Sequence, residues 1–203
     1  MIRKFTFALT ALAVLGACAG PREMTPEPAP VPAPQVSEPE LIISPLFEFA
    51  SCRMLTITVE DPDTPFEVGV APKTLQHLIV AEFPTTPAEM QRGLQGRKPL
   101  HPDTAMIFEF RGDHNPVLWM KDTPASLDMV FIDAKGDVFY LEAGTEPNST
   151  GFLTPEEPDP VATHVLELPA GKAEEMGIFP GMSQIEVGEP LACGAFLPDA
   201  AFS

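Results

Sequence analysis

The chain is short of positive charge. Its 12 Lys and Arg stand against 29 Asp and Glu, leaving a net charge of −17. Phosphate backbones are held by cationic surfaces, so no nucleic-acid partner is expected. Histidine is sparse as well. His77, His101, His114 and His164 form neither an H-E-x-x-H run nor another paired ligand spacing, and no metal or cofactor is expected. Asp128, Asp133 and Asp137 match no EF-hand loop, and capping turns is the simpler use for them. There is no G-x-S-x-G, and Gly93 to Gly96 lacks the strand-to-helix context of a phosphate loop. Three cysteines leave little for nucleophilic catalysis. The apolar run Phe5 to Leu15 is too short to span a bilayer as a mature helix.

That run follows Arg3-Lys4 and reads as a secretory signal over residues 1–17. Leu15-Gly16-Ala17-Cys18 resembles a bacterial lipobox, in which cleavage before Cys18 leaves a thiol to be diacylated and an amine to be acylated. Several acyl chains anchor stably where one is marginal. Ala19 after the Cys is similar to lipoproteins sorted to the outer membrane. The competing reading is ordinary cleavage after Ala17-Cys18-Ala19, which discards Cys18 and leaves a soluble periplasmic protein. Residues 18–45 are Pro, Ala and Glu-rich, and eight of the 25 prolines lie between Gly20 and Pro45. Such a segment buries too little to fold and favours polyproline II. It is expected to be a tether reaching on the order of 75 Å when extended. The acidity further along suits solubility or basic partners, and acyl chains are the only expected attraction to anionic lipid.

From residue 46 to 203 the pattern is that of one domain. Met54 to Glu60 alternates as a strand within an N-terminal extension, residues 46–72, that prolines then break. Leu75 to Phe83 reads as a second strand. Thr86-Pro87-Ala88-Glu89 is a capping box with Pro at the first helical position, so a short helix should run to Arg92 and stop at Gly93 in a left-handed cap. Strands are predicted at Ala105–Phe110, Val138–Leu141, Ala162–Leu168 and Gln184–Val187, and a second helix at Ala170–Met176. Gly144 to Pro160 has no periodicity and reads as a lid or as disorder. Cys52 and Cys193 are an even pair once Cys18 is acylated or removed. In an oxidising compartment they pair as a disulfide; otherwise they are two buried thiols. The whole is mainly β with two short helices, a β-sandwich or partial barrel.

The densest mixture of apolar and charged residues is Val117 to Asp133, which holds the only Trp. Val117, Trp119 and Lys121 share one face of a predicted strand. After the Asp122-Thr123-Pro124 turn, Leu127, Met129 and Phe131 share one face and Asp128, Val130 and Ile132 the other. A hairpin is the economical reading, and it brings Trp119, Lys121 and Asp128 together. This stretch resembles the signature of the family known as domain of unknown function 192, or DUF192. The carriers are Trp119 to Thr123, Leu127-Asp128-Met129, Phe131-Ile132-Asp133 and Gly136. Flanking blocks are similar too, in order: Arg92-Gly93-Leu94, Gly96-Arg97, Met106-Ile107-Phe108, Leu166 to Gly171, Gly177-Ile178 and Pro180-Gly181. The likeness spans a core of about Leu75 to Val187. It implies a compact, jelly-roll-like β domain common in exported bacterial proteins, and no established activity. Asp122 stands where the family usually has Asn, and Ala125-Ser126 replaces the usual Ile-Pro.

Trp119, Lys121 and Asp128 are the candidate ligand-binding residues: an aromatic plate flanked by a donor and an acceptor suits a sugar or peptide. The plainer reading has Asp128 capping backbone amides, Lys121 pairing to it and Trp119 filling core. Arg92 and Arg97, beside the helix stop, either face a bound anion or pair with nearby carboxylates. The expected function is an envelope lipoprotein presenting a binding or accessory module to the periplasm, with a glycan, peptide or protein as partner. The alternative is an envelope hydrolase with Asp128 as acid or base.

Overall fold

The computed structural model describes residues 40–43, 47–61, 72–97 and 100–196. The signal, Cys18 and the tether up to residue 39 lie outside the described residues, as do the prolines at 62 and 65. All described residues fall in one unit, residues 33–203. Eight strands form a mixed sheet: β1 (Glu40–Ile43), β2 (Ser51–Glu60), β3 (Thr74–Glu82), β4 (Met106–Glu109), β5 (Leu127–Ile132), β6 (Val138–Glu142), β7 (His164–Pro169) and β8 (Ser183–Ala192). Two short helices accompany them, α1 (Pro87–Arg92) and α2 (Lys172–Glu175). Along the sheet the order is β6-β5-β7-β4-β3-β2-β8, with β1 parallel to β3. The sheet therefore takes up Glu40–Ile43, which composition assigned to the tether.

All seven strands of that path contribute to one apolar cluster, which α2 covers through Ala173 together with Met176 at its C-cap. The edge strands meet only at one end, where Asp137 bridges Gln184. There the amide of Ile185 donates to the carbonyl of Gly136 at 2.8 Å. Gly136 has φ of 88°, and a Cβ on it would lie 2.7 Å from that strand's Ile185 carbonyl oxygen. Only glycine admits both the turn and the close approach. The result is a partial barrel, as the strand pattern predicts. A second cluster, including Met106, Phe108, Met129 and Phe131, lies on the opposite face of β4, β5 and β7 under the α1 segment and the loops. Both faces of β5 are therefore buried.

Helix α1 starts as its sequence dictates. The Thr86 hydroxyl accepts from the Glu89 amide, and the Glu89 carboxylate accepts from the Thr86 amide at 2.9 Å. Gly93 ends it with φ of 47° but ψ of −129°, outside the left-handed helical well expected for the cap. β8 is longer than predicted because Gly188 and Pro190 masked it; both are tolerated on an edge strand with a bulge opposite Arg53 to Leu55. The hairpin prediction fails. Val117 to Lys121 forms no strand with β5, whose two edges are already taken by β6 and β7. Instead Leu118 bridges Leu153, with reciprocal amide-to-carbonyl bonds of 2.9 Å. Within the Gly144 to Pro160 loop, Leu153 is thus the partner of this stretch.

Cys52 and Cys193 form a disulfide across a separation of 141 residues, with Cα atoms 4.8 Å apart. A bond of this kind belongs to an oxidising, extracytoplasmic compartment. No helix among the described residues is long and apolar enough to cross a membrane. Replacing both cysteines with Ala is expected to remove up to about 5 kcal/mol, read as a lower urea midpoint, because the unfolded chain regains its loop entropy. A midpoint unchanged by reductant would show the bond to be energetically idle.

Candidate functional site

The second cluster is hollow on one side. A cavity of about 350 Å³ opens there, walled by Phe108 and Phe110, by Leu118, Trp119 and Met120, and by the end of α1. Trp119 stands at the rim, 41% exposed, and the Lys121 ammonium lies 5.5 Å from its ring centroid. Lys121 is otherwise paired only loosely, 3.7 Å from Asp122. Asp122 adopts φ of 56°, and its carbonyl accepts from the Gly96 amide at 2.8 Å. That left-handed position suits Asn or Asp, which accounts for the substitution at this turn.

At the inner end of the cavity lies Glu167. It occupies the middle of β7, opposite Met106 of β4 and Met129 of β5, and is 6% exposed. No side-chain hydrogen bond or ion pair reaches it among the described residues. Burial pushes its carboxyl up to about 8, against a smaller downward pull from the Arg97 guanidinium. A neutral carboxylic acid at pH 7 is a donor as well as an acceptor. Two larger clefts, of about 800 and 510 Å³, have only exposed or half-buried ionisable groups.

Behind the wall, Glu82 anchors the loop that follows α1. Its carboxylate, fully buried, receives both Nη atoms of Arg97 and the amides of Glu48 and Phe49. Arg92 pairs with Glu48, and Arg97 Nε stands 3.3 Å from the other Glu48 oxygen without the alignment of a hydrogen bond. Phe49 lies under both guanidinium groups, 5.9 and 5.3 Å from its centroid. The two arginines therefore take the carboxylate-paired course, and only Arg92 also lines the cavity.

Asp128 is elsewhere. It points to the barrel interior face, 1% exposed, and accepts from the Gly144 amide at 2.9 Å and the Ala173 amide at 3.0 Å. Helix α2 begins at Gly171, which has no side chain to cap it, and Asp128 supplies the missing acceptor from β5. The structure thus brings Trp119 and Lys121 together at the cavity and assigns Asp128 to backbone amides. Glu167 and Glu82 were not singled out from sequence for their chemistry. Their signal was a lone acid at a core-facing position within His164–Pro169, HVLELP, and at the end of Thr74–Glu82, TLQHLIVAE.

No curated protein matches this chain. Two solved structures resemble it. One, from Sinorhizobium meliloti 1021 and described as a candidate transcription regulator, is 28% identical with a TM-score of 0.52, over 66% of this chain and 93% of that one. The other, a protein of unknown function from Novosphingobium aromaticivorans DSM 12444, is 26% identical with a TM-score of 0.51, over 64% of this chain and 83% of that one. The family model described as an uncharacterized ACR, DUF192, matches residues 70–185, more than half of the chain and all of the cavity's lining. The chain belongs to the DUF192 family.

Proposed function

We propose that this protein is an envelope lipoprotein, anchored in the outer membrane through Cys18 and holding a β-rich binding module in the periplasm on its Pro-rich tether. The Trp119 cavity is the binding site, and an envelope glycan or peptide is its ligand. The observation that carries this reading is the open, largely apolar cavity with an aromatic ring and an ammonium group at its mouth. A ring of this kind covers apolar C–H surface while the charge fixes orientation. The disulfide supports export, and the lipobox supports the anchor. The regulator description of the Sinorhizobium protein does not carry over to nucleic acid, because a net charge of −17 opposes phosphate. Hydrolysis through Asp128 has no geometric support, since both carboxylate oxygens hold amides.

The purified full chain should bind muropeptides or glycan fragments saturably. A ligand at 100 times its Kd adds about 2.7 kcal/mol, several degrees of thermal shift at this size. Trp119→Ala should weaken binding by about tenfold through loss of the aromatic contact, with Lys121→Ala weakening it less. In cells, palmitate should label the protein, and Cys18→Ser should abolish the label. A shift that survives both cavity substitutions would place the ligand elsewhere.

A further inference from the structure

The cavity has a largely apolar lining and one acid, Glu167, that no side-chain donor reaches among the described residues. Glu167 is walled by Met106 and Met129 along the sheet, and the cavity is the space left for a partner. A buried polar group without a partner costs free energy that an incoming group of the right kind recovers. We propose that the cavity takes the uncharged part of such a glycan or peptide, an apolar or aromatic group bearing an amide carbonyl whose oxygen accepts a hydrogen bond from the Glu167 carboxyl. The inference rests on the cavity being the binding site proposed above and names the ligand's chemistry.

The surrounding charges select against ionic ligands. On the loop after α1, Arg97 is near enough to act on Glu167 but is already bidentate to Glu82, which sits one strand beyond Met106. On α1, Arg92 lines the mouth and is paired to Glu48. On the other side Glu142 of β6 faces Met129 and accepts from the Tyr140 hydroxyl. At the rim stands Lys121. An amine entering this cavity passes Lys121 and Arg92 at the mouth and finds at the inner end an acid that carries no charge to pair with. A carboxylate ligand meets cations whose counter-charges are largely in place, in a chain that is strongly acidic. An uncharged carbonyl meets neither obstacle. Its oxygen reaches the acid while its body covers Phe108 and Trp119. Binding is then coupled to the proton on Glu167, and ligand is released as that proton leaves.

Trp119 is the only tryptophan, so fluorescence excited at the red edge of the indole band, where Tyr140 does not absorb, reports on the cavity mouth. Benzamide, benzylamine and benzoate share one ring and differ in charge, and each is titrated into the full chain at pH 6 and pH 9. Benzamide should bind best at pH 6 and about tenfold more weakly at pH 9, because ligand and proton are held together. Glu167→Gln keeps a donor and should bind benzamide equally at both pH values. A second readout needs no variant: the carbonyl infrared band of isotope-labelled benzamide should shift to lower frequency on binding at pH 6. Preference for benzylamine, rising with pH, would overturn the carbonyl assignment and leave the cavity as a binding site. So would silence of all three probes while a muropeptide still quenches Trp119. Silence of the probes and of the muropeptide alike would remove both readings. A pH dependence unchanged in Glu167→Gln would assign the proton to another group and overturn the proposal.

Discussion

Glu82→Gln is expected to destabilise the domain by about 3–5 kcal/mol, the cost of leaving a buried guanidinium without its counter-charge. Glu82 is fully buried, and its carboxylate satisfies four donors, two from Arg97 and the amides of Glu48 and Phe49. An amide in its place keeps one acceptor oxygen but turns an NH₂ group towards another donor. Arg97→Met should cost a similar amount by stranding the carboxylate. The two together, as Glu82→Met with Arg97→Met, should lose much less than the sum, because an apolar pair has nothing to desolvate. Urea unfolding with an unchanged m-value is the measurement. Single-variant losses below about 1 kcal/mol would mean that the pair is solvated like a surface bridge. The loop that Arg97 pins, Gly93 to Gln95, is a wall of the cavity, so ligand binding should weaken along with stability.

Glu167→Gln is expected to flatten the pH dependence of stability. The carboxyl sits at about 8 in the folded protein against an ordinary 4.5, so the native state keeps a proton that the unfolded chain releases. This contribution is fully present below about pH 4.5 and is lost as pH rises through about 8. The slope is about 1.4 kcal/mol per pH unit in between, or roughly 5 kcal/mol across the window. The difference between wild type and Glu167→Gln isolates it. Burial holds His164 below its ordinary value, so it favours the native state as pH rises, but it does so in both proteins. Parallel curves for the two would show Glu167 to be ionised in the folded protein at neutral pH.

Short-range rules account for much of the fold. The capping box at Thr86 and Glu89 needs only residues three apart, and it forms as written. The faces of β5 also follow from alternation alone: Leu127, Met129 and Phe131 pack in one cluster and Val130 and Ile132 in the other. The disulfide follows from two cysteines remaining in an exported domain. What alternation does not reveal is which strands are neighbours. Leu118 faces Leu153 rather than β5 because each strand edge pairs once, and β5's edges go to strands later in the chain.

The candidate site shows the same division. Trp119 and Lys121 are neighbours by sequence spacing and remain neighbours at the cavity. Asp128 lies on the face that alternation gives it, but that face is covered by α2, whose start has no capping side chain of its own. In sequence Glu167 is one acid among 29. It becomes distinctive only when Met106 from β4 and Met129 from β5 close on either side and no donor follows.

By itself, then, the sequence determined the acidic balance, the β class, the start of α1 and the inward faces of the strands, because each rests on local spacing or composition. Tertiary structure alone decided which strand edges pair, which carboxylates are spent on amides and arginines, and which one is left facing a cavity. Hydrogen-bond partners and desolvation depend on neighbours far apart in the chain, and no local pattern carries that information.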